Sequence, residues 1–174
     1  MTESKQTANG PLHELFSLAQ IQHLMRVEFS RALRYDYPLV CLFVAVDQLD
    51  SVRDRFGFEA RETVLGAVVD LLHERTRTSD FLGRLPDDRL MIVVPHSTPE
   101  QIEIMAVRLV ERATELSLPE IEGEHLSFSI GGSWLTAGET MFHDDLIKTA
   151  ERCAQEASAA GGGKYIARAP EGQL

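Results

Sequence analysis

Carboxylates and guanidiniums crowd one short stretch, Arg77 to Pro95 (RTSDFLGRLPDDRLMIVVP). Arg77 and Asp80 stand three apart in a basic–acidic loop, and Asp87, Asp88 and Arg89 follow Pro86. Guanidinium forks grip planar or anionic acceptors in pairs, and carboxylates accept hydrogen bonds or ligate hard cations. The spacing alone does not define a site, because Arg84 and Asp87 repeat it. Paired only with each other at a helix end, Arg77 and Asp80 would be an exposed ion pair worth about 0–1 kcal/mol. Position adds weight: Phe81 to Leu85 and Leu90 to Val94 are apolar runs around a Pro-Asp-Asp turn, which predicts a β-hairpin with carboxylates at its rim.

Little else competes. Six histidines are scattered, none beside an acid or Cys at metal-ligand spacing. Cys41 and Cys153 fall in predicted core elements and read as buried free thiols. Gly161 to Gly163 follows a helix rather than opening one, so it is a cap and not a phosphate loop. Ser129-Ile130-Gly131-Gly132 lacks the flanks of a nucleophile elbow. A formal charge of −10 disfavours nucleic-acid and anionic-membrane surfaces, though not a small anion held by local arginines. No apolar run is long enough to span a bilayer and no signal peptide is evident, so the cytoplasm is the expected compartment.

The elements that must position these groups come from periodicity. Residues 1–11 are polar and read as a mobile tail, and 170–174 as a short closing tail. Leu12 to Arg34 is predicted helical, with a broad stripe of Leu12, Leu15, Phe16, Ala19, Leu24, Val27, Phe29 and Leu33. Pro38 to Val46 suits a central strand. Asp47 to Glu59 reads as a loop with about one helical turn, and Arg61 to Thr76 as a helix burying Val64, Leu65, Val68, Leu71 and Leu72. After the hairpin, the Ser97-Thr98-Pro99 break caps a helix running to about Leu116. Leu126 to Ser133 is a strand, Asp144 to Ala160 a helix, and Lys164 to Arg168 an edge strand. Helices between strands that include a hairpin predict an α+β fold: a mixed central sheet of about five strands flanked by helices.

Arg-x-x-Asp, a five-residue turn six positions on, and an apolar strand ending in Pro resemble the GGDEF domain, the diguanylate cyclase domain of bacterial second-messenger signalling. The resemblance covers 12–169, and Glu28 and the Arg31-Ala32 pair also match it. It implies a palm-like fold similar to nucleotidyl cyclases. The five-residue signature itself is Pro86-Asp87-Asp88-Arg89-Leu90 here.

That resemblance implies two divalent metals and a set of GTP contacts, most of whose positions are changed. Ala45 stands at the first metal carboxylate, with Asp47 two residues on; Asp88 stands at the other. Arg53 and Glu62 occupy the guanine-reading positions and Arg61 that of a small Gly. Asp50, Ser158 and Gly162 replace phosphate-facing cations, and Pro86 removes a turn amide. The implied expectation is a chain that is not an enzyme, with no catalytic residue, no metal and no cofactor.

The family's product-binding site, by contrast, is matched at Arg77 and Asp80, and Arg108 falls at the spacing of a third, helical Arg. A guanidinium can span guanine O6 and N7, and a carboxylate can accept from N1 and N2. The resemblance thus implies a cyclic di-GMP receptor using Arg77, Asp80 and Arg108, which signals by protein contact through the 12–34 helix or as a homodimer bridged by a stacked ligand pair. The alternative is a ligand-independent interaction scaffold.

Overall fold

Apolar side chains point alternately to the two faces of two central strands, and the alternation divides the core. The protein, a computed structural model, is described over residues 15–171; the tail at 1–11, the start of the predicted first helix at 12–14, and residues 172–174 lie outside them. In β1 (Leu39–Val46), Val40, Leu42 and Val44 enter one core, whereas Leu39, Cys41 and Phe43 enter another. In β3 (Leu90–Pro95), Leu90, Ile92 and Val94 join the first, and Met91 and Val93 the second. Period-two alternation with both faces apolar places a sheet between two helical layers.

With β2 (Phe81–Arg84), β4 (Phe128–Trp134) and β5 (Lys164–Ala167), the sheet has the order β2-β3-β1-β4-β5. All pairings are antiparallel except β4 with β5. The expected α+β fold with a mixed five-stranded sheet is therefore observed. One face carries α2 (Leu49–Phe56), α3 (Phe58–Arg75) and α4 (Pro99–Glu115); the other carries α1 (Leu18–Tyr35) and α5 (His143–Ala159).

Local signals explain most boundaries. Thr98 accepts from the Gln101 amide while Gln101 caps back, and Pro99 follows at the first helical position, so α4 starts where the sequence predicts. Ser17 and Gln20 build the same box for α1. That box corrects the predicted helix at 12–34: the helix opens at Leu18, and Phe16 instead bridges to Gly83 beside β2. The buried face is Ile21, Met25, Glu28, Phe29 and Ala32, whereas Ala19 and Leu33 are exposed. The predicted stripe is rotated: it omits Ile21, Met25 and Ala32, which pack on the sheet, as well as the buried carboxylate of Glu28. Glu28 is buried and satisfied, accepting from Tyr37 at 2.8 Å and Arg31 at 3.3 Å. Burial and this bond push the Tyr37 phenol up to about 12.

Two further boundaries differ. The loop expected at 47–59 contains the two-turn helix α2, and α3 opens at Phe58 rather than Arg61. Both cysteines are buried free thiols, as predicted. At the head of β1, Asp47 accepts from the Ser127 and Ser129 hydroxyls and from the Gly163 amide, tying β1 to β4 and to the turn before β5. Gly162 lies against that carboxylate at φ +73°, where a Cβ would be both strained and blocked. No helix among the described residues is long and apolar enough to cross a membrane.

Candidate functional site

The hairpin is built as its sequence predicts. The Asp88 amide donates to the Leu85 carbonyl and the Leu85 amide to the Arg89 carbonyl, both at 2.9 Å. Pro86 suits the second position of such a turn, and Asp88 then takes a left-handed conformation at φ 65°, which Asp tolerates better than most residues. The conformation directs Asp88 toward α3. Its Oδ1 accepts from Arg84 Nε at 2.8 Å and lies 2.7 Å from Arg84 Nη2, while its Oδ2 accepts from Arg61 Nη2. Arg61 also meets Glu62 at 3.2 Å, and Arg84 lies 3.6 Å from it. Burial opposes ionisation of Asp88, but the bonds from Arg61 and Arg84 outweigh it and hold the carboxyl below its usual range.

Asp87 and Arg89 make a second set. Arg89 donates from Nε to Asp87 at 2.7 Å and from Nη2 to Glu151 at 2.8 Å, with its guanidinium 5.5 Å from the Phe43 ring centroid. In the sequence Arg61 stands out only as the replacement of a glycine, and Arg84 only as half of a repeated spacing. The Arg84–Asp88 bond is legible locally, because a tight turn from Leu85 to Asp88 brings its closing residue back beside the one before it. The Arg61–Asp88 bond spans 27 residues and carries no local signal.

These contacts decide whether the cleft fits the pair of divalent cations that the resemblance implies. Ala45 offers no side-chain ligand, Asp47 is bound to β4 and the turn before β5, and both Asp88 oxygens are engaged by guanidiniums. Among the described residues no three His, Cys, Asp or Glu side chains gather at a metal-holding distance. The residues present do not fit a metal pair.

The second constellation lies where α3 leads into β2. The Asp80 amide donates to the Arg77 carbonyl at 3.0 Å, and Asp80 Oδ2 accepts from the Arg77 amide at 2.8 Å. The turn therefore holds the carboxylate by backbone, and no Arg77–Asp80 ion pair forms among the described residues. The Arg77 guanidinium instead donates to the buried Ser97 hydroxyl, next to the α4 cap. Asp80 Oδ1 is buried with no hydrogen-bond partner. Burial raises the Asp80 carboxyl above its usual range, and the Arg77 amide and charge only partly offset this.

Arg108 is exposed on the outer face of α4, in a shallow groove with Glu103, Ile104, Val107 and Glu111. The rise of an α-helix puts it roughly 13 Å beyond Pro99. The structure thus brings Arg77 and Asp80 together and leaves Arg108 further along the helix that starts beside Ser97.

The family described as "Diguanylate cyclase, GGDEF domain" matches residues 11–164. The diguanylate cyclase DosC of Escherichia coli K12 is 25% identical over 132 residues, covering 76% of this chain and 28% of that protein. The chain thus spans less than a third of that curated relative. The GGEEF domain of a Vibrio cholerae diguanylate cyclase, described as active, superposes with a TM-score of 0.81 at 23% identity, covering 88% of this chain and 97% of that one. The GGDEF domain of DgcB from Caulobacter crescentus, in complex with c-di-GMP, gives 0.82 at 13% identity, covering 93% and 95%. At such identities the two structures bear on the fold.

The relatives correct one expectation. The sequence reading that this chain is not an enzyme is overturned, because the matching family and the named relative are diguanylate cyclases. The cleft still presents Asp50, Asp87 and Asp88 beside the guanidiniums of Arg61 and Arg89.

Proposed function

Because the chain belongs to the GGDEF domain family, we propose that it acts in cyclic di-GMP signalling by binding cyclic di-GMP at Arg77, Asp80 and Arg108, and relays occupancy through protein contact. One observation carries this reading: the buried, unpartnered Asp80 Oδ1 beside an exposed Arg77 that spends one contact on Ser97. Turned outward, that oxygen can accept from the N–H donors of a guanine edge, whose O6 and N7 accept from the guanidinium fork. Arg108 then meets the phosphates or second base from α4. A folded surface stands ready for relay, since Leu33 and Tyr35 near the end of α1 are 46% and 66% exposed.

Calorimetry with cyclic di-GMP tests the reading. The wild type is expected to release heat on binding, and Arg77→Ala to lose roughly tenfold to a hundredfold in affinity. Absence of heat from the folded wild type ends it. The stoichiometry from the same titration distinguishes one ligand per chain from a stacked pair shared by two copies.

A second reading is favoured by the named relative: the cleft headed by Asp88 turns over GTP. Incubation with GTP and Mg²⁺ or Mn²⁺ is then expected to yield cyclic di-GMP, with product lost in Asp88→Asn. A folded wild type that makes no product removes this reading and leaves the binding proposal standing.

A further inference from the structure

Both oxygens of Asp88 are already committed. Arg84 takes Oδ1 through two nitrogens, at 2.8 and 2.7 Å, and Arg61 takes Oδ2. The Arg61 and Asp88 side chains are only 12% and 16% exposed, so water and salt screen their attraction weakly. We infer that Arg61 and Arg84 are tethered counter-cations: their guanidiniums fill the charge position at Asp88 that a divalent ion would take, and latch the β2–β3 turn to α3.

The surroundings make the latch consequential. The pocket between Asp50, Arg61, Asp88 and Arg89 holds about 120 Å³, less than the roughly 300 Å³ at which small-molecule sites begin. Arg61 is part of its wall, so admitting a larger ligand and releasing Asp88 are one movement. A hard cation arriving alone gains little, since it needs several oxygens at once. Asp47 is bound to Ser127, Ser129 and Gly163, Asp87 to Arg89, and Asp50 faces Arg53 at 3.7 Å. Buried Arg61 Nε has no partner, so Arg61 is held only through its two terminal nitrogens. Replacing the two guanidiniums by neutral amides would leave Asp47, Asp50, Asp87 and Asp88 lining the pocket, with Arg89 the one cation among its lining residues.

Paramagnetic broadening by Mn²⁺ in amide-resolved NMR spectra of the full chain tests the latch, because it registers weak cation sites. In the wild type, the amides of Asp87 to Leu90 are expected to broaden no more than those of other acidic surface segments. In the Arg61→Gln/Arg84→Gln variant, which keeps hydrogen-bonding side chains without charge, the same amides should broaden at roughly tenfold lower Mn²⁺. Adding Asp88→Asn should abolish the effect. Selective broadening of the turn in the wild type overturns the inference. So does its absence from the double variant when the rest of the spectrum matches the wild type; if that variant does not fold, Arg84→Gln alone is read in the same way, because Arg84 is the more exposed partner. Cyclic di-GMP binding at Arg77 involves neither arginine, so its calorimetry succeeds or fails separately.

Discussion

Gly131→Ala is expected to destabilise the domain by about 3 kcal/mol, the upper end of what overpacking a core costs, and to lower Tm by roughly 10 °C. Gly131 lies in the middle of β4, paired with Phe43 of β1 and Ile166 of β5. A Cβ there would overlap the Ala150 carbonyl oxygen and the Ala154 amide nitrogen of α5. These are backbone atoms of a helix packed on the sheet, so no rotamer change relieves the overlap and the whole helix must shift. Ala150 and Ala154 are themselves small and buried, which shows how closely the two backbones approach. Gly66→Ala is the control. Gly66 sits on the exposed face of α3 with nothing near a new Cβ, and there alanine should stabilise by about 0.5–1 kcal/mol through helix propensity. Thermal melts of the two variants beside the wild type read both signs. An unchanged Tm for Gly131→Ala would mean that α5 does not rest on β4 as described.

Asp80→Asn is expected to weaken cyclic di-GMP binding by roughly tenfold to a hundredfold, the size of one charge-assisted hydrogen bond. It should also flatten the pH dependence of binding. Burial raises the Asp80 carboxyl in the free domain, with the Arg77 amide and charge pulling the other way. The folded, ligand-free domain therefore holds this proton more tightly than the unfolded chain. Asp80's effect on folding stability accordingly becomes less favourable as pH rises from the ordinary carboxylate range through the raised value. Ligand reverses the preference, because guanine N–H donors favour the ionised form. Affinity should thus fall as pH is lowered through the raised value. Calorimetric titrations from about pH 8 down to about pH 4, on wild type and Asp80→Asn, would show a slope in the first and a nearly level line in the second. Equal affinity of both proteins at neutral pH would remove Asp80 from the site.

The sequence by itself determined the elements and their layering, because those signals are short-ranged. The continuous apolar runs at Leu39–Val46 and Leu90–Pro95 make both faces of a strand apolar and so demand two covering layers, and the Thr98–Gln101 box marks a helix start. It also placed Arg77 beside Asp80, since a three-residue separation closes within one turn. The first helix differs from its sequence pattern at both start and face: the Ser17–Gln20 box sets the start, and docking on the sheet selects Ile21, Met25, Phe29 and Ala32 from a helix with apolar residues on several sides.

Only the tertiary structure decided which charge meets which. Asp88 faces Arg61 because α3 packs against the sheet at the hairpin's rim, and Arg77 reaches Ser97 because β3 delivers that serine to the foot of α4. Such pairings join residues 20 and 27 positions apart. They depend on how layers dock, which no local spacing records, and Coulomb attraction acts on distance in space rather than along the chain.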